Sequence, residues 1–393
     1  MNILSTGMGW IDHTPGGLNR YFADYLHAMS ASGHRMTGFM TASGEPTGAP
    51  AYVREVLEGI GGGTLSRMMA FRTQVRKELA EGRYDVLNPH FALYASLLRR
   101  SLIPVDVPIV THFHGPWAQE SRYQEGGSDW SQRMRYRVKR EIESLSYRRS
   151  DRFIVLSEYF KTILRDDYGV AGDRIHIVPG AVDTDSFHPA KDRAFVRHKL
   201  GLPADKLVLF CARRLVPRMG IDRLIRSMAL AADRAEHVSL YIAGDGPMRA
   251  ELQRLTDALG LRGSVRLLGR VSNEELVEWY QSADIAVVPT ITLEGFGLVT
   301  VEALACGTPV LGTPGGGTVE ILSKLSDDLL FSSGEPEAMA DKIAAAAEGT
   351  LRVPDREQCR RFVMENYTWE RVARTVTGIF EQAIQERKGR RTG

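Results

Sequence analysis

Residues 284–302 read DIAVVPTITLEGFGLVTVE. The apolar run DIAVVP predicts a buried β-strand, and LVTVEALACG, which begins after Gly297, predicts a helix. A loop with two glycines lies between them. Because the same order of strand, loop and helix recurs along the chain, we expect parallel sheets that are covered by helices.

The loop and the helix start also predict a ligand site. The first N–H groups of a helix have no intrahelical partner and the helix dipole is positive there, so the backbone of Phe296, Gly297 and Leu298 is suited to phosphate. Glu294 and Glu302 flank this point, and a carboxylate would repel phosphate but accept hydrogen bonds from sugar hydroxyls. The pattern therefore favours a nucleotide sugar, with a capped helix and two incidental glutamates as the alternative.

The order of elements predicts two domains. One set of predicted strands is NILST, RMTGFM, YDVLNPH, PIVTH, RFIVLS and RIHIVP, and a second set is LVLFCA, VSLYIAG, SVRLLG, DIAVVP and TPVLGT. Residues 179–189 (PGAVDTDSFHP) have turn chemistry and no periodicity, which indicates a linker, and 393 residues are many for one core. We expect an α/β fold of two doubly wound Rossmann-like domains facing a cleft, with residues 1–184 in the first and 185–371 in the second.

Composition limits the classes of protein. A content of 43% hydrophobic and 25% charged residues is typical of a globular protein, and no apolar run approaches the roughly 20 residues that span a bilayer. Three widely spaced cysteines fit neither a disulfide framework nor a metal cluster, so we expect a cytoplasmic protein. Basic residues concentrate over 133–152, which predicts either a solvated helix face or a peripheral contact with an anionic membrane. No recognition motif for nucleic acid accompanies them.

Two strand ends of the first predicted domain carry candidate site residues. Gly16 and Gly17 follow the first strand and open a helix, so they allow a ligand to approach the backbone or simply form a turn. They lack the G-x-G-x-x-G spacing of dinucleotide binders, which argues against a dehydrogenase. His114 stands in the turn after PIVTH and is the first candidate histidine, with His112 as the second.

The first strand of the second predicted domain ends in a basic loop. Arg213, Arg214 and Arg218 follow LVLFCA, and guanidinium groups can bind a phosphate through two hydrogen bonds. The loop therefore predicts an anion site, with surface solvation as the alternative. The role of the glycine run 315–317 stays open at this stage.

The E-x7-E spacing of Glu294 and Glu302, the glycines between them and the loops described above resemble those of the retaining glycosyltransferases of family four, which have the GT-B fold. The resemblance covers nearly the whole chain. It implies that Glu294 contacts the donor sugar and Glu302 the nucleotide ribose. It also implies that His114 contacts the donor sugar, and that Gly16 and Gly17 lie near the donor diphosphate and the acceptor.

The same resemblance assigns the basic loop to the diphosphate leaving group. Arg214 matches the arginine of the family, but Met219 occupies the position of the family's lysine. We expect Arg218 or Arg213 to supply the missing charge.

Three further roles follow from the resemblance. Gly244 is expected to border the donor, and the backbone of Val271 is expected to contact the nucleobase. Ser272 and Glu275 also have the spacing of a capping box, so helix initiation explains part of this segment. The last helix, placed at 372–393, is expected to pack back on the first domain.

Together with these features, the resemblance implies a retaining glycosyltransferase that needs neither a metal nor a cofactor. It would move a hexose from a nucleotide diphosphate sugar, with UDP favoured, to an acceptor hydroxyl in glycan, glycolipid or polysaccharide synthesis, a lipid-linked acceptor being one candidate. The expected catalytic residues are His114, Glu294 and Arg214. The expected donor-binding residues are Gly16, Gly17, Arg214, Arg218, Gly244, Val271, Glu294, Phe296, Gly297, Leu298 and Glu302.

Two other functions fit the same residues. A catalytically silent subunit that binds nucleotide sugar is favoured by Met219, and a GT-B epimerase would act on a nucleotide sugar without an acceptor. The acceptor cannot be predicted, because the loops at 44–63 and 120–130 contain no recognisable motif.

Overall fold

The computed structural model describes residues 1–11, 16–41, 48–56, 63–125 and 130–392. The chain divides into two units. Unit 1 comprises Met1–Gly180 and Trp369–Gly393, and unit 2 comprises Ala181–Thr368. The first division falls inside the segment 179–189 and before the expected 184/185, and the second falls before the expected 371/372.

Unit 1 is built on parallel strands. Its elements are β1 (Asn2–Thr6), α1 (Gly17–Ala31), β2 (Arg35–Thr41), β3 (Val53–Val56), α2 (Thr64–Glu81), β4 (Val86–Pro89), α3 (Ala92–Ala95), β5 (Val110–Phe113), α4 (Trp117–Glu125), α5 (Trp130–Tyr147), β6 (Arg152–Val155), α6 (Glu158–Tyr168) and β7 (Ile175–Ile177). The strands form two parallel sets, β3-β2-β1-β4 and β5-β6-β7. A parallel bridge between Leu87 and Ile109 joins β4 to β5, so the order is β3-β2-β1-β4-β5-β6-β7.

Unit 2 repeats this architecture with a smaller sheet. Its elements are α7 (Arg193–Lys199), β8 (Leu207–Ala212), α8 (Ile221–Leu230), β9 (Val238–Ala243), α9 (Arg249–Ala258), β10 (Val265–Gly269), α10 (Asn273–Ser282), β11 (Ile285–Val288), α11 (Leu298–Ala305), β12 (Val310–Gly312), α12 (Gly317–Leu325), α13 (Pro336–Ala347) and α14 (Arg356–Asn366). The strands are parallel, in the order β10-β9-β8-β11-β12. Both units are therefore doubly wound α/β folds, as the sequence predicts.

The last helix, α15 (Trp369–Thr392), belongs to unit 1 and packs on α1. The Trp369 ring lies 5.2 Å from the ring of Tyr21 on α1. Farther along α15, Thr377 is hydrogen-bonded to His34 at 2.8 Å. The helix thus covers the α1 side of unit 1.

One strand is not predicted by the sequence. The segment Val53–Val56 (VREV) pairs in parallel with β2 at the edge of the sheet. It lies within the stretch 44–63 that was expected to be a loop, so that expectation is wrong for these residues. The second expected acceptor loop, 120–130, is helical where it is described, because residues 120–125 belong to α4 and Trp130 begins α5. Residues 42–47, 57–62 and 126–129 of the two stretches lie outside the described part of the chain.

A buried glutamate joins three helices of unit 1. Glu143 on α5 is fully buried and accepts hydrogen bonds from the Ala118 N–H at the start of α4 (3.3 Å) and from the Tyr168 hydroxyl on α6 (2.6 Å). Burial raises the pKa of Glu143 from 4.5 to about 7. Desolvation thus outweighs these hydrogen bonds, which favour the ionised form.

We predict that Glu143→Gln removes a pH dependence of stability. An acid with a raised pKa in the folded state stabilises while it is protonated, so this contribution is complete below about pH 4.5 and is lost as the pH rises through about 7. Relative to the unmodified chain, the free energy of unfolding of Glu143→Gln should rise by about 3 kcal/mol over that window. Urea unfolding at a series of pH values measures it.

The matched control is Glu141→Gln on the exposed side of the same helix. Its difference from the unmodified chain should stay within about 0.5 kcal/mol at every pH. An equal pH dependence in both variants would contradict the role given to Glu143.

Candidate active site

The strand order of unit 2 reverses between β8 and β11. From β8 the chain proceeds outward through β9 and β10, then returns to the other side of β8 for β11 and β12. In doubly wound sheets, ligands bind at the carboxyl ends of the strands at such a switch point. The residues that follow β8 and β11 are Arg213 and the segment 289–297, which we call the acidic loop.

An ion pair links these two strand ends. Nη2 of Arg213 lies 2.7 Å from Oε2 of Glu294, and the two side chains are only 7% and 12% exposed. The Thr290 hydroxyl also lies 3.2 Å from the same carboxylate oxygen, to which it donates. The sequence singles out Glu294 correctly as a residue of this edge, but it does not show that Arg213 is its partner.

The other members of the basic loop have different surroundings. Arg214, the expected catalytic arginine, is exposed. Arg218 donates from Nη1 to the Leu293 carbonyl at 3.1 Å, so it holds the backbone of the acidic loop. Met219 is buried, and its sulfur lies 3.8 Å from the Thr290 hydroxyl. The Thr290 hydroxyl has a single proton, and the carboxylate of Glu294 is the stronger acceptor, so the sulfur packs beside this contact and does not share it.

The glycine run 315–317 packs directly on the acidic loop. The Gly317 N–H donates to the Glu294 carbonyl at 2.7 Å. A Cβ at Gly317 would lie 2.6 Å from the Gly295 carbonyl oxygen, and a Cβ at Gly316 would lie 2.6 Å from that of Glu294. These glycines thus allow two backbone segments to touch, which answers the question that the sequence leaves open.

The acidic loop leads into α11. Gly297 is its N-cap with φ 97°, in the left-handed region that favours glycine, and no side chain caps the helix. Leu298 is the first helical residue, while Phe296 is buried with its ring 5.7 Å from that of Tyr367. Glu302 lies on α11 and is 3% exposed. The predicted helix start is thus present, and Glu302 has very little exposed surface.

The remaining predicted donor residues of unit 2 lie on the same edge. Gly244 follows β9 with φ 134°, and a Cβ there would lie 1.9 Å from the Arg213 carbonyl oxygen, so close packing already explains this glycine. Val271 follows β10 and is partly buried. The next residue, Ser272, forms the predicted capping box with Glu275.

In unit 1 the strand order reverses between β1 and β4. Gly16 caps α1 after β1, has φ 156° and, like Gly17, is exposed, while residues 12–15 of the same loop lie outside the described residues. His90 follows β4, and its backbone N–H donates to the Thr6 carbonyl of β1 at 2.8 Å. His114 follows β5 and is partly buried.

His114 belongs to a stack of three imidazole rings, which we call the histidine stack: His90, His112 and His114. Ring centroids are 4.1 Å apart for His90 and His112 and 5.2 Å apart for His90 and His114. Burial lowers the pKa of His114 to about 3 and the pKa values of the other two well below their usual range. All three rings are therefore neutral at pH 7.

Two family models match the chain. The model described as "Glycosyltransferase Family 4" matches residues 15–186, and the model described as "Glycosyl transferases group 1" matches residues 192–369. Together with the two doubly wound units and their strand-end sites, these matches define the class. The chain is a glycosyltransferase with the GT-B fold.

Its relatives agree with this class. D-inositol 3-phosphate glycosyltransferase from Xylanimonas cellulosilytica is 27% identical, over 95% of this chain and 94% of the relative. D-inositol 3-phosphate glycosyltransferase 1 from Catenulispora acidiphila is 29% identical, over 95% and 93%. Among solved structures, sucrose-phosphate synthase from Thermosynechococcus elongatus superposes with a TM-score of 0.81 at 22% identity, covering 98% of this chain and 99% of that one.

A second solved structure was determined with a ligand. HepE from Anabaena in complex with UDP-glucose superposes with a TM-score of 0.75 at 19% identity, covering 97% of this chain and 100% of that one. At such identities these superpositions establish the fold and no more.

The sequence does not predict two of the contacts at these strand ends, that of Arg213 with Glu294 and that of His90 with His114. Arg213 could not be separated from Arg214 by composition alone. His90 lies 24 residues from its partner His114, although Asn88-Pro-His90 and His112-Phe-His114 share a spacing at two neighbouring strand ends that could have indicated it.

Neither a metal site nor a membrane span is found in the described ranges. No group of three or more His, Cys, Asp or Glu side chains there is arranged to hold a metal ion. Likewise, none of the helices within those residues has the length and apolarity to cross a membrane.

We predict that the two neighbouring arginines differ in their effect on stability. Arg213→Met leaves the partly buried Glu294 without its charged partner and should lower the free energy of unfolding by about 3 kcal/mol. Arg214→Met changes an exposed side chain and should stay within about 0.5 kcal/mol. In the double variant Arg213→Met/Glu294→Gln, most of the loss should be recovered. Equal losses from the two single variants would contradict the pairing.

A second prediction concerns the glycine run. Gly317→Ala drives a methyl group into the backbone of the acidic loop and should cost about 1–3 kcal/mol of stability. Gly315→Ala is the control, because its Cβ would lie 3.8 Å from the nearest atom, the Ile291 carbonyl oxygen. It should be nearly neutral in urea unfolding. If both variants unfold alike, the packing described for Gly317 is wrong.

Proposed function

We propose that this glycosyltransferase moves a hexose from a nucleotide diphosphate sugar to an acceptor hydroxyl, with retention of the donor's anomeric configuration. The observation that carries the proposal is the switch point of unit 2, where Arg213 and Thr290 orient the carboxylate of Glu294 beside the uncapped start of α11. Positive backbone dipoles suit a diphosphate, and an oriented carboxylate suits sugar hydroxyls. The Anabaena structures with UDP and UDP-glucose support UDP as the nucleotide.

In this proposal, the charge that develops on the diphosphate is neutralised by the protein. The exposed Arg214 and the N-terminus of α11 would face the departing phosphate, so the reaction would need no metal. The bond from the anomeric carbon to the diphosphate oxygen breaks with its electron pair on that oxygen. The acceptor oxygen bonds to the same face of the anomeric carbon, and its proton passes to the departing phosphate.

Arg213 supports the proposal despite the substitution at Met219. The family resemblance places a lysine where Met219 lies buried, and Arg213 brings a guanidinium to within 2.7 Å of Glu294 instead. We propose that Arg213 orients Glu294 and Arg218 fixes the loop, while Arg214 binds the phosphate.

The ligand contacts of the other residues are proposed on the resemblance. Glu302 would accept from the ribose through its small exposed edge, Val271 would contact the base, and Gly16 and Gly17 would border the diphosphate. His114 would contact the transferred sugar.

The test is the product itself. Purified chain is incubated with UDP-glucose, EDTA and acceptors beginning with D-inositol 3-phosphate, which the names of the relatives suggest. NMR should show a glucoside with the donor's anomeric configuration, and Arg214→Met should lower kcat about 100-fold with unchanged stability. An inverted product would contradict retention, and activity restored only by Mg²⁺ would contradict the charge argument.

Two other outcomes would replace the proposal. An altered sugar formed without an acceptor would show an epimerase. If the chain neither transfers the sugar to any acceptor nor slowly hydrolyses the donor, it is a silent nucleotide-sugar-binding subunit.

We also propose that α5 meets an anionic membrane surface. Trp130, Met134 and Val138, four residues apart on one side of the helix, are 72%, 41% and 53% exposed. Arg133 and Arg137 are exposed beside them. Arginines suit anionic lipid headgroups, and an apolar stripe beside them suits the boundary with the acyl chains. The sequence predicts this contact from charge alone, and the exposed apolar side chains are a second argument for it.

Vesicle sedimentation tests this contact. Trp130→Ser/Val138→Ser should weaken binding to vesicles containing phosphatidylserine about tenfold, because each side chain loses its transfer to the bilayer. Leu65→Ser, which changes an apolar side chain that is 67% exposed on α2, is the control and should bind like the unmodified chain. Binding that is equal for all three proteins would exclude α5 as the contact.

A further inference from the structure

The polar core of unit 1 contains more than the histidine expected at the site. Asn88 on β4 lies between His90 and His112 of the histidine stack, and His90 in turn contacts His114. Tyr21 and Tyr25 of α1 pack on these rings. The ring centroids of Tyr21 and His114 are 4.8 Å apart, and those of Tyr25 and His90 are 4.7 Å apart. The hydrogen bonds from His112 through Asn88 and His90 to His114 form a continuous chain within one unit.

The direction of the chain is fixed at Asn88. Its Nδ2 lies 2.6 Å from the carbonyl oxygen of Val110, which can only accept, so this atom must be the amide nitrogen. The other amide atom is therefore the oxygen, and it lies 3.0 Å from Nε2 of His90. Because Oδ1 can only accept, Nε2 of His90 carries the proton.

The same reasoning passes to His114. With its proton on Nε2, a neutral His90 has a lone pair on Nδ1. Nε2 of His114 lies 3.1 Å from that atom and must donate to it. A neutral His114 therefore carries its proton on Nε2 and keeps a lone pair on Nδ1.

The other end of the chain gives a consistent result. Nδ2 of Asn88 lies 2.9 Å from Nδ1 of His112, which must accept, so His112 is also protonated on Nε2. That atom is buried without a hydrogen-bond partner among the described residues, as are the hydroxyls of Tyr21 and Tyr25. A buried polar group without a partner destabilises the fold, so an apolar core would be more stable here. This cost favours a functional reason for the polar chain.

We propose that Asn88 and His90 are positioning residues that hold His114 as its Nε2–H tautomer, so that Nδ1 accepts a hydrogen bond from a sugar hydroxyl. Burial keeps the three rings neutral, which the chain requires. The titratable groups packed on the stack from α1 are Tyr21 and Tyr25, whose pKa values burial raises, so they too stay neutral. The identity of the hydroxyl as one of the transferred sugar rests on the proposed function, but the tautomer does not.

The first experiment measures the tautomers directly. Long-range ¹H–¹⁵N NMR of the full chain at pH 7 should show His90, His112 and His114 as neutral rings protonated on Nε2. Observation of His114 protonated on Nδ1, or of a mixture of tautomers, would overturn the proposal. This result does not depend on transferase activity.

The second experiment breaks the chain. His90→Phe keeps an aromatic ring in the stack but cannot accept from His114, so His114 should become a mixture of tautomers. The kcat/KM for UDP-glucose should fall about tenfold, which corresponds to about 1.4 kcal/mol and thus to the loss of one hydrogen bond. Tyr25→Phe is the control: it removes a buried hydroxyl without altering the chain and should leave both readouts unchanged. A single tautomer and full activity in His90→Phe would overturn the proposal.

A third variant is available if His90→Phe does not fold. In Asn88→Asp a carboxylate faces His90 and His112 and favours their charged forms. A charged His90 donates from Nδ1, so His114 must reverse its tautomer to accept. If Asn88→Asp loses turnover while His114 stays protonated on Nε2, the proposal is contradicted. If the unmodified chain is inactive although all three rings are protonated on Nε2, only the proposed function is contradicted.

Discussion

The ion pair between Arg213 and Glu294 determines the shape of unit 2 at its switch point. It joins the ends of β8 and β11, the two strands between which the sheet order reverses. Because the side chains are largely buried, each charge needs the other, and the acidic loop cannot relax without exposing one of them. The contacts from Arg218 and Gly317 to the loop backbone act on the same segment. Together these contacts fix the position of the carboxylate.

Unit 1 solves a similar problem with neutral groups. Its switch point carries imidazole and amide side chains, which are joined by hydrogen bonds where unit 2 has an ion pair. A neutral chain has a direction, because each donor requires an acceptor, so it can determine which nitrogen of a histidine carries the proton. Preorganisation of this kind lowers the reorganisation needed when charge moves in a transition state.

Much of the fold could be predicted from the sequence. The strands NILST and LVLFCA coincide with β1 and β8, since strands buried in parallel sheets are continuous apolar runs. β3 was missed because Arg54 and Glu55 occupy half of a four-residue edge strand, whose polar composition resembles that of a loop. The capping box at Ser272 was predicted because it depends only on local spacing.

The site was only partly predictable. The acidic loop and the start of α11 were found because their residues are adjacent in sequence. Arg213 and Arg214 are also adjacent, but neighbouring residues in extended chain face opposite sides, and sequence alone does not say which one faces Glu294. The histidine stack depends on pairing between β4 and β5, which joins residues 24 positions apart. Interactions between distant segments are set by register, and register follows from packing of the whole sheet.

A crystal structure of the chain with UDP tests the central claim most directly. We expect the diphosphate within hydrogen-bonding distance of the backbone N–H of Leu298, at the start of α11 and beside Glu294, with the ribose at Glu302. The Arg213–Glu294 ion pair should be unchanged, because both side chains are largely buried and separating their charges is costly. A diphosphate bound elsewhere on the chain, or an ion pair broken by the nucleotide, would contradict the claim that this edge is a preformed donor site.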